Sequence, residues 1–357
     1  MSGAPWVIAE AGVNHNGSVD RALAMVDVAA DAGADAVKFQ TFTATAMIAS
    51  HAPKADYQVQ ATGTAQSQQE MIAALELSPD AHRLIKDRCN TRGIEFLSTP
   101  FDLGSLELLV DGLGMTTIKV PSGEVTNAPF LLEVGRRARR VILSTGMCTL
   151  DEVRAALKVL SFAFDASNRG APHRRAVAEP LDADDRVRLD GRVTVLQCTT
   201  EYPAPVAEAN LRAMATMRDA FGLPVGYSDH TVGSVAAIAA VALGATMVEK
   251  HFTLDRTLPG PDHAASLEPG ELAAYVAAVR DAHAALGSAT KAPTPSEAKN
   301  IPIARKSVVA SRPIAAGEVL GPGNMTTKRP ATGRDPLDYF DLLGTVATRA
   351  YDTDELL

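Results

Sequence analysis

Lysines, carboxylates, hydroxyls and histidines recur in this chain at one kind of place, the end of a short apolar run. Lys38 and Gln40 stand two residues apart in Ala36 to Phe42, so an extended backbone puts both on one face. Other runs end in Glu10 (followed by Asn14, His15 and Asn16), Ser98-Thr99-Pro100, Lys119 with Ser122-Gly123-Glu124, and Ser144-Thr145-Gly146. Later ones end in Thr200, Glu201 and Tyr202, in Ser228-Asp229-His230, and in Glu249 and His251. Buried charges without partners are costly, so such residues gathered at one mouth imply a charged ligand or a metal that compensates them. His230 and His251 can place two imidazole nitrogens on one divalent ion and leave coordination positions open, although a lone interior histidine is ordinarily just hydrogen-bonded. Lys38, Lys119, Ser122, Ser144 and Ser228 supply cations and hydroxyl donors for a phosphate and a carboxylate, with Gly123 and Gly146 admitting backbone amides. Each Ser-Gly or Thr-Gly turn is weak evidence alone; their shared position carries the weight. Glu10, Glu124 and Asp262 are candidates for proton transfer or for orienting a lysine. No Walker or dinucleotide fingerprint occurs.

The elements that must position these residues follow from alternation of β-branched runs with helical periodicity. Eight strands are expected: Val7 to Gly12, Ala36 to Phe42, Ile94 to Phe101, Thr117 to Val120, Val141 to Thr145, Val193 to Thr199, Pro224 to Ser228 and Met247 to Phe252. Ser78-Pro79 opens a helix that Gly93 closes, Thr149 with Glu152 forms a capping box, and helical patterns run from Asn210 to Gly222 and Ser234 to Gly244. Eight β-then-α units predict a closed (β/α)8 TIM barrel over residues 1–288, whose site forms at the carboxyl ends of the strands. An open doubly wound sheet is the alternative. A proline-bearing linker, 289–306, leads to a small domain over 307–357 with a short strand at Ser307 to Ala310. The charged stretch from Phe162 to Arg192 breaks the rhythm and suits a surface insertion or a partly disordered loop.

Composition narrows the function. The 357-residue chain carries a formal charge of -8, which argues against a nucleic-acid or acidic-membrane binder. No stretch has the apolar length of a membrane span, and the start lacks a signal-peptide pattern, so a cytoplasmic protein is expected. Cys89, Cys148 and Cys198 lack metal-type spacing and read as small buried hydrophobes rather than disulfide partners. His51, His82, His173, His263 and His283 fall on presumed loops or helices and read mostly as solvated, with His15 intermediate.

Several ordered blocks together resemble the sialic acid synthase family, the N-acetylneuraminate, legionaminate and pseudaminate synthases. They are Ile8-Ala-Glu-Ala-Gly-Val-Asn-His-Asn-Gly17, Val37-Lys-Phe-Gln-Thr41, Leu97-Ser-Thr-Pro-Phe101, Lys119-Val-Pro-Ser-Gly-Glu124 and Leu143-Ser-Thr-Gly-Met147. Thr199-Thr-Glu-Tyr-Pro203, Tyr227-Ser-Asp-His-Thr231, Glu249-Lys-His-Phe-Thr253 and Pro259-Gly-Pro-Asp262 continue the match, which spans essentially the whole chain. Residues 307–357, around Thr327-Lys-Arg-Pro330, resemble the family's antifreeze-like (SAF) domain. The resemblance implies a transferase that condenses phosphoenolpyruvate with an N-acylated hexosamine and water, giving a nine-carbon 2-keto acid and phosphate. It also implies manganese, or magnesium or cobalt, on His230 and His251, and phosphoenolpyruvate on Lys38, Thr99, Lys119, Ser122, Ser144 and Ser228. Tyr202 and Asp262 face the sugar by the same token, Gln40 and Thr200 are further substrate-binding candidates, and a domain-swapped homodimer brings Arg329 to the N-acyl group in the neighbouring subunit. Glu124 is the first choice to deprotonate the attacking water and Glu10 to act near the sugar hydroxyls. The sequence departs from the family pattern at Gln197, at Thr200, in the Phe162 to Arg192 stretch, and after Gln58 in the loop that begins Ala52-Pro-Lys-Ala-Asp-Tyr-Gln58.

Two alternatives stand beside this reading. Another phosphoenolpyruvate-dependent aldol-type synthase, acting on erythrose phosphate, needs a second basic cluster that the sequence does not offer. A non-catalytic carbohydrate-binding protein needs no lysines, carboxylates and paired histidines at strand ends.

Overall fold

The structure, a computed structural model, describes residues 3–54, 59 and 67–357. Ala55 to Gln58 of the loop noted above lie outside the described residues. The chain divides into two compact units, residues 1–287 and 288–357.

The first unit is the expected barrel. Its strands are β1 (Trp6–Gly12), β2 (Ala36–Thr41), β3 (Glu95–Pro100), β4 (Thr117–Val120), β5 (Arg140–Ser144), β6 (Val193–Cys198), β7 (Val225–Asp229) and β8 (Met247–His251). All ladders are parallel, in the order β3-β2-β1-β8-β7-β6-β5-β4, and β3 lies beside β4 to close the cylinder. Each strand begins or ends within one residue of the sequence expectation, because β-branched runs and polar ends mark both limits. The caps also follow sequence chemistry. Ser78 accepts from the Ala81 amide and Gly93 closes the helix Pro79–Arg92 at φ 69°, a left-handed conformation that favours glycine. Thr149 and Glu152 form their capping box at the helix Leu150–Phe164.

Of the two readings of the stretch after Phe162, a surface insertion or a partly disordered loop, the second does not hold. The stretch contains the helices Arg174–Ala178 and Ala183–Leu189, and the latter buries Asp185 and Leu189. Asp185 accepts from Lys158 Nζ at 2.5 Å and Ser161 Oγ at 2.6 Å, so this part is built into the outer helix layer. A buried carboxylate with two donors needs a fixed backbone, which charged composition alone does not reveal.

One apolar core fills the space between strands and helices. Val13, Phe42, Ala44, Ile48, Met71, Ile72 and Leu75 form a separate small cluster. The second unit contains the antiparallel pair β9 (Ser307–Ala310) and β10 (Met325–Lys328) over its own core, which includes Val308, Ile314 and Met325. Among the described residues, no helix is long and apolar enough to cross a membrane.

Candidate active site

A cavity of about 270 Å³ opens at the carboxyl ends of the strands. Glu10, Lys38, Gln40, Thr99, Lys119, Ser122, Ser144, Thr200, Tyr202, Ser228, His230, His251 and Asp262 all line it. Glu124 does not: it is half-buried on the turn Ser122–Glu124 and accepts from Asn127 Nδ2 at 2.6 Å. Arg329 belongs to the second unit, where its Nε donates to the Ala304 carbonyl.

Alternation along the strands sends these side chains inward. Lys38 and Gln40 project from β2, and Glu249 and His251 from β8. At the floor lie two lysines and two carboxylates, each no more than 3% exposed. Lys38 Nζ is 2.5 Å from Glu10 Oε2 and 3.8 Å from Glu249 Oε2, and Lys119 Nζ is 3.2 Å from Glu249 Oε1. Ser228 Oγ donates to Glu249 Oε1 at 2.9 Å, Lys38 Nζ to Thr99 Oγ1 at 3.0 Å, and Gln40 Nε2 to Glu10 Oε1 at 3.3 Å. Burial raises the Glu10 carboxyl despite the Lys38 charge, with Glu249 adding to the rise. Glu249 is held down, because Lys119 and Lys38 together with the Ser228 hydroxyl outweigh its burial. Burial, reinforced by Lys38, lowers Lys119. The sequence reading placed Glu249 on the eighth strand but gave it no role, although it is the carboxylate that touches both lysines. Its partners come from β2, β4 and β7, and only closure of the barrel joins them.

Around this floor, Gly146 N donates to Ser122 Oγ at 2.8 Å. A Cβ on Gly146 would stand 2.3 Å from Thr200 Oγ1, so this close approach requires glycine. Ser144 Oγ and Thr200 Oγ1 are buried with no hydrogen-bond partner among the described residues. Cys198, expected in apolar surroundings, instead lines the cavity with its sulfur 3.1 Å from Ser122 Oγ. It and the other two cysteines are free.

His230 and His251 face one another with ring centroids 5.5 Å apart, and Tyr202 lies 4.2 Å from His230. Burial pushes His230 down to about 4 and His251 well below the ordinary range, so both are neutral near pH 7. His230 Nδ1 meets the Thr199 carbonyl at 2.6 Å and therefore donates, which leaves Nε2 as a lone-pair donor. His251 Nδ1 is buried without a hydrogen-bond partner. Among the described residues no group of three or more His, Cys, Asp or Glu could hold a metal. The two neutral imidazoles fit a cation that takes its remaining ligands from water or substrate.

The Asn14-His15-Asn16 run serves the scaffold. Asn14 Nδ2 donates to the Phe252 carbonyl and Ser266 Oγ, and Asn16 Nδ2 to the Pro259 carbonyl, which ties the loop after β1 to the loop that brings Asp262 to the mouth. His263 completes the tie through Asn16 Oδ1 and Thr253 Oγ1, and His82 meets Thr41 Oγ1 at 2.8 Å. His82 and His263 are thus buried, contrary to the solvated reading, because each satisfies a hydroxyl beside a strand end. Burial raises Asp262 to about 6.

A (β/α)8 barrel with buried lysines, carboxylates and facing imidazoles at the carboxyl mouth is built as an enzyme. The NeuB family model matches residues 25–291 and the SAF domain model residues 305–357. The chain belongs to the NeuB family, a family of synthases, and carries a SAF domain at its carboxyl end. It is 47% identical over 354 residues to the N,N'-diacetyllegionaminic acid synthase of Campylobacter jejuni, covering 98% of each chain. The enzyme of the same name from Legionella pneumophila is 40% identical, over 95% of this chain and 89% of the relative. Among solved structures, the N-acetylneuraminic acid synthetase of Leptospira borgpetersenii is similar, at 30% identity and a TM-score of 0.66, over 84% of this chain and 90% of that one.

Proposed function

We propose that this chain condenses phosphoenolpyruvate with an open-chain N-acylated hexosamine and water, releasing phosphate and a nine-carbon 2-keto acid. The observation that carries the reading is the floor of the cavity, where Lys38 and Lys119 are neutralised by Glu10 and Glu249 and ringed by hydroxyls. An incoming phosphate and carboxylate replace the protein carboxylates as counterions, with Thr99, Ser122, Ser144 and Ser228 donating. Gln40, Thr200, Tyr202 and Asp262 face the sugar above them. A divalent ion on His230 and His251, manganese in this reading, would supply Lewis-acid polarisation of the aldehyde oxygen. Glu10 is the residue for proton transfer at the reacting oxygens, since it lines the cavity with its proton affinity raised toward neutrality. Arg329 reaches the N-acyl group from the second unit of a partner subunit in a swapped dimer.

The sugar is a 2,4-diacetamido-2,4,6-trideoxyhexose. Val13, Met47, Ile72, Phe101, Met147 and Pro261 give the cavity an apolar wall. Two acetamido methyls and a C6 methyl fit such a wall, whereas the C6 hydroxyl of N-acetylmannosamine loses its water there. The Campylobacter and Legionella relatives carry the matching name. Among the described lining residues the only lysines are Lys38 and Lys119 and no arginine is present, which disfavours erythrose phosphate with its second phosphate.

The test is phosphate release from phosphoenolpyruvate with manganese, offering the diacetamido sugar, N-acetylmannosamine and erythrose phosphate in turn. Highest kcat/KM is expected for the diacetamido sugar. Equal or better use of N-acetylmannosamine overturns the sugar assignment, and no release with any acceptor overturns the synthase reading.

A further inference from the structure

Side chains on β7 and β8 alternate between the cavity and the helix layer. Ser228 and His230 face the cavity from one, Glu249 and His251 from the other. The residues between them, Asp229 and Lys250, are register partners across the ladder and are 0% and 1% exposed. Neither lines the cavity. Lys250 Nζ lies 3.2 Å from Asp229 Oδ2 and also donates to the Thr231 carbonyl. Asp229 Oδ1 accepts from the Thr231 amide at 2.9 Å and the Thr231 hydroxyl at 2.7 Å, and Tyr275 donates to Oδ2 at 3.4 Å. The His230 carbonyl, in turn, accepts from the Ala204 amide at 2.8 Å.

A buried ion pair stabilises a fold no better than an apolar pair of the same shape, so stability is a poor account of this one. Its hydrogen bonds offer another. They end on each other, on Tyr275 and on Thr231, the residue that follows His230. The pair therefore grips the backbone turn that aims one imidazole and locks the register of the strand that carries the other.

We propose that Asp229 and Lys250, acting through Thr231, form a positioning clamp behind the two imidazoles that sets the separation and orientation a divalent cation needs. Neither residue is catalytic, and the clamp rests on the reading of His230 and His251 as cation ligands. A purely structural pair would affect melting and leave cation affinity alone. A clamp would change affinity at temperatures well below melting.

The experiment measures manganese binding to the full-length protein from the electron paramagnetic resonance signal of free Mn²⁺, independently of turnover. His230→Ala abolishes binding if the imidazoles hold the cation; wild-type affinity in that variant overturns the ligand reading, and the clamp with it. Asp229→Asn combined with Lys250→Met removes both charges at similar volume and leaves no lone buried charge. Its expected manganese affinity is about 10- to 100-fold below wild type, the usual cost of removing groups that support metal ligands. Thr231→Val keeps shape and ion pair while removing one donor to Asp229, with an expected loss of about 3-fold or more. If the double variant does not melt cooperatively, Thr231→Val decides alone. Wild-type affinity in Thr231→Val, or in a cooperatively melting double variant, overturns the clamp while leaving the ligand reading intact.

Discussion

Replacing Glu249 by glutamine isolates the electrostatic balance on which anion binding depends. Its carboxylate lies 3.2 Å from Lys119 Nζ and 3.8 Å from Lys38 Nζ, and it accepts from Ser228. At an effective dielectric near 20, a charge pair at 3.2 Å has a gross attraction of roughly 5 kcal/mol. The net loss is smaller, because the desolvation of Glu249 is relieved at the same time; breaking buried pairs by removing one partner costs about 3–5 kcal/mol. At the lower figure the melting temperature of the barrel falls by roughly 5 °C. The isosteric glutamine keeps volume, so packing contributes little. The same substitution leaves Lys119 without its carboxylate, and an anion then restores what was removed. Thermal melts with and without inorganic phosphate read both effects. Phosphate stabilises any form that binds it, by an amount that grows with the logarithm of its concentration over the dissociation constant. The variant is expected to gain at least twice the wild-type shift at the same phosphate concentration. A variant that melts within 2 °C of wild type and responds to phosphate no more strongly refutes the claim that Glu249 neutralises the lysines.

Glu10→Gln is expected to lower kcat by about 100-fold or more in steady-state phosphate release, and Glu124→Gln to stay within about 3-fold of wild type, since only the first side chain lines the cavity; the reverse order returns the proton-transfer role to Glu124. Lys38→Met and Arg329→Ala, each inactive alone, are expected to regain activity when co-expressed as mixed dimers, and failure to recover any argues against a swapped second unit. His15 is lowered from 6.5 to about 4, first by burial and then by His82. The unfolded chain therefore binds its proton first, so stability is full above pH 6.5, falls as pH drops toward 4, and changes no further below that. The difference amounts to about 3 kcal/mol for this group. Denaturant melts across pH 7 to 4 should show a flatter profile in His15→Gln, and an unchanged slope rejects the assignment.

The strands were legible in the sequence because each is a β-branched run ended by polar residues, and the helix starts because Ser78-Pro79 and Thr149 with Glu152 solve the exposed-amide problem locally. Most cavity residues were legible for the same reason, since position at a strand end predicts the mouth. What sequence did not carry was partnership across the cylinder. Glu249 and Lys119 are 130 residues apart and meet only when the barrel closes. Asp229 belongs by sequence to a polar strand end at the mouth and Lys250 has no evident role, yet both point at the helix layer and find each other there. His82 and His263 likewise depend on hydroxyls supplied by Thr41 and Thr253.

The small apolar cluster around Phe42 and Ile72 bears on how such an enzyme changes its preferences. Val13, Phe42, Ala44, Ile48, Met71, Ile72 and Leu75 form a core apart from that of the cylinder, and Val13 and Ile72 also border the cavity. Substitutions there can reshape the cavity wall while the main core keeps its packing. Acceptor choice can therefore drift in evolution, or be redirected in the laboratory, at little risk to the machinery beneath it.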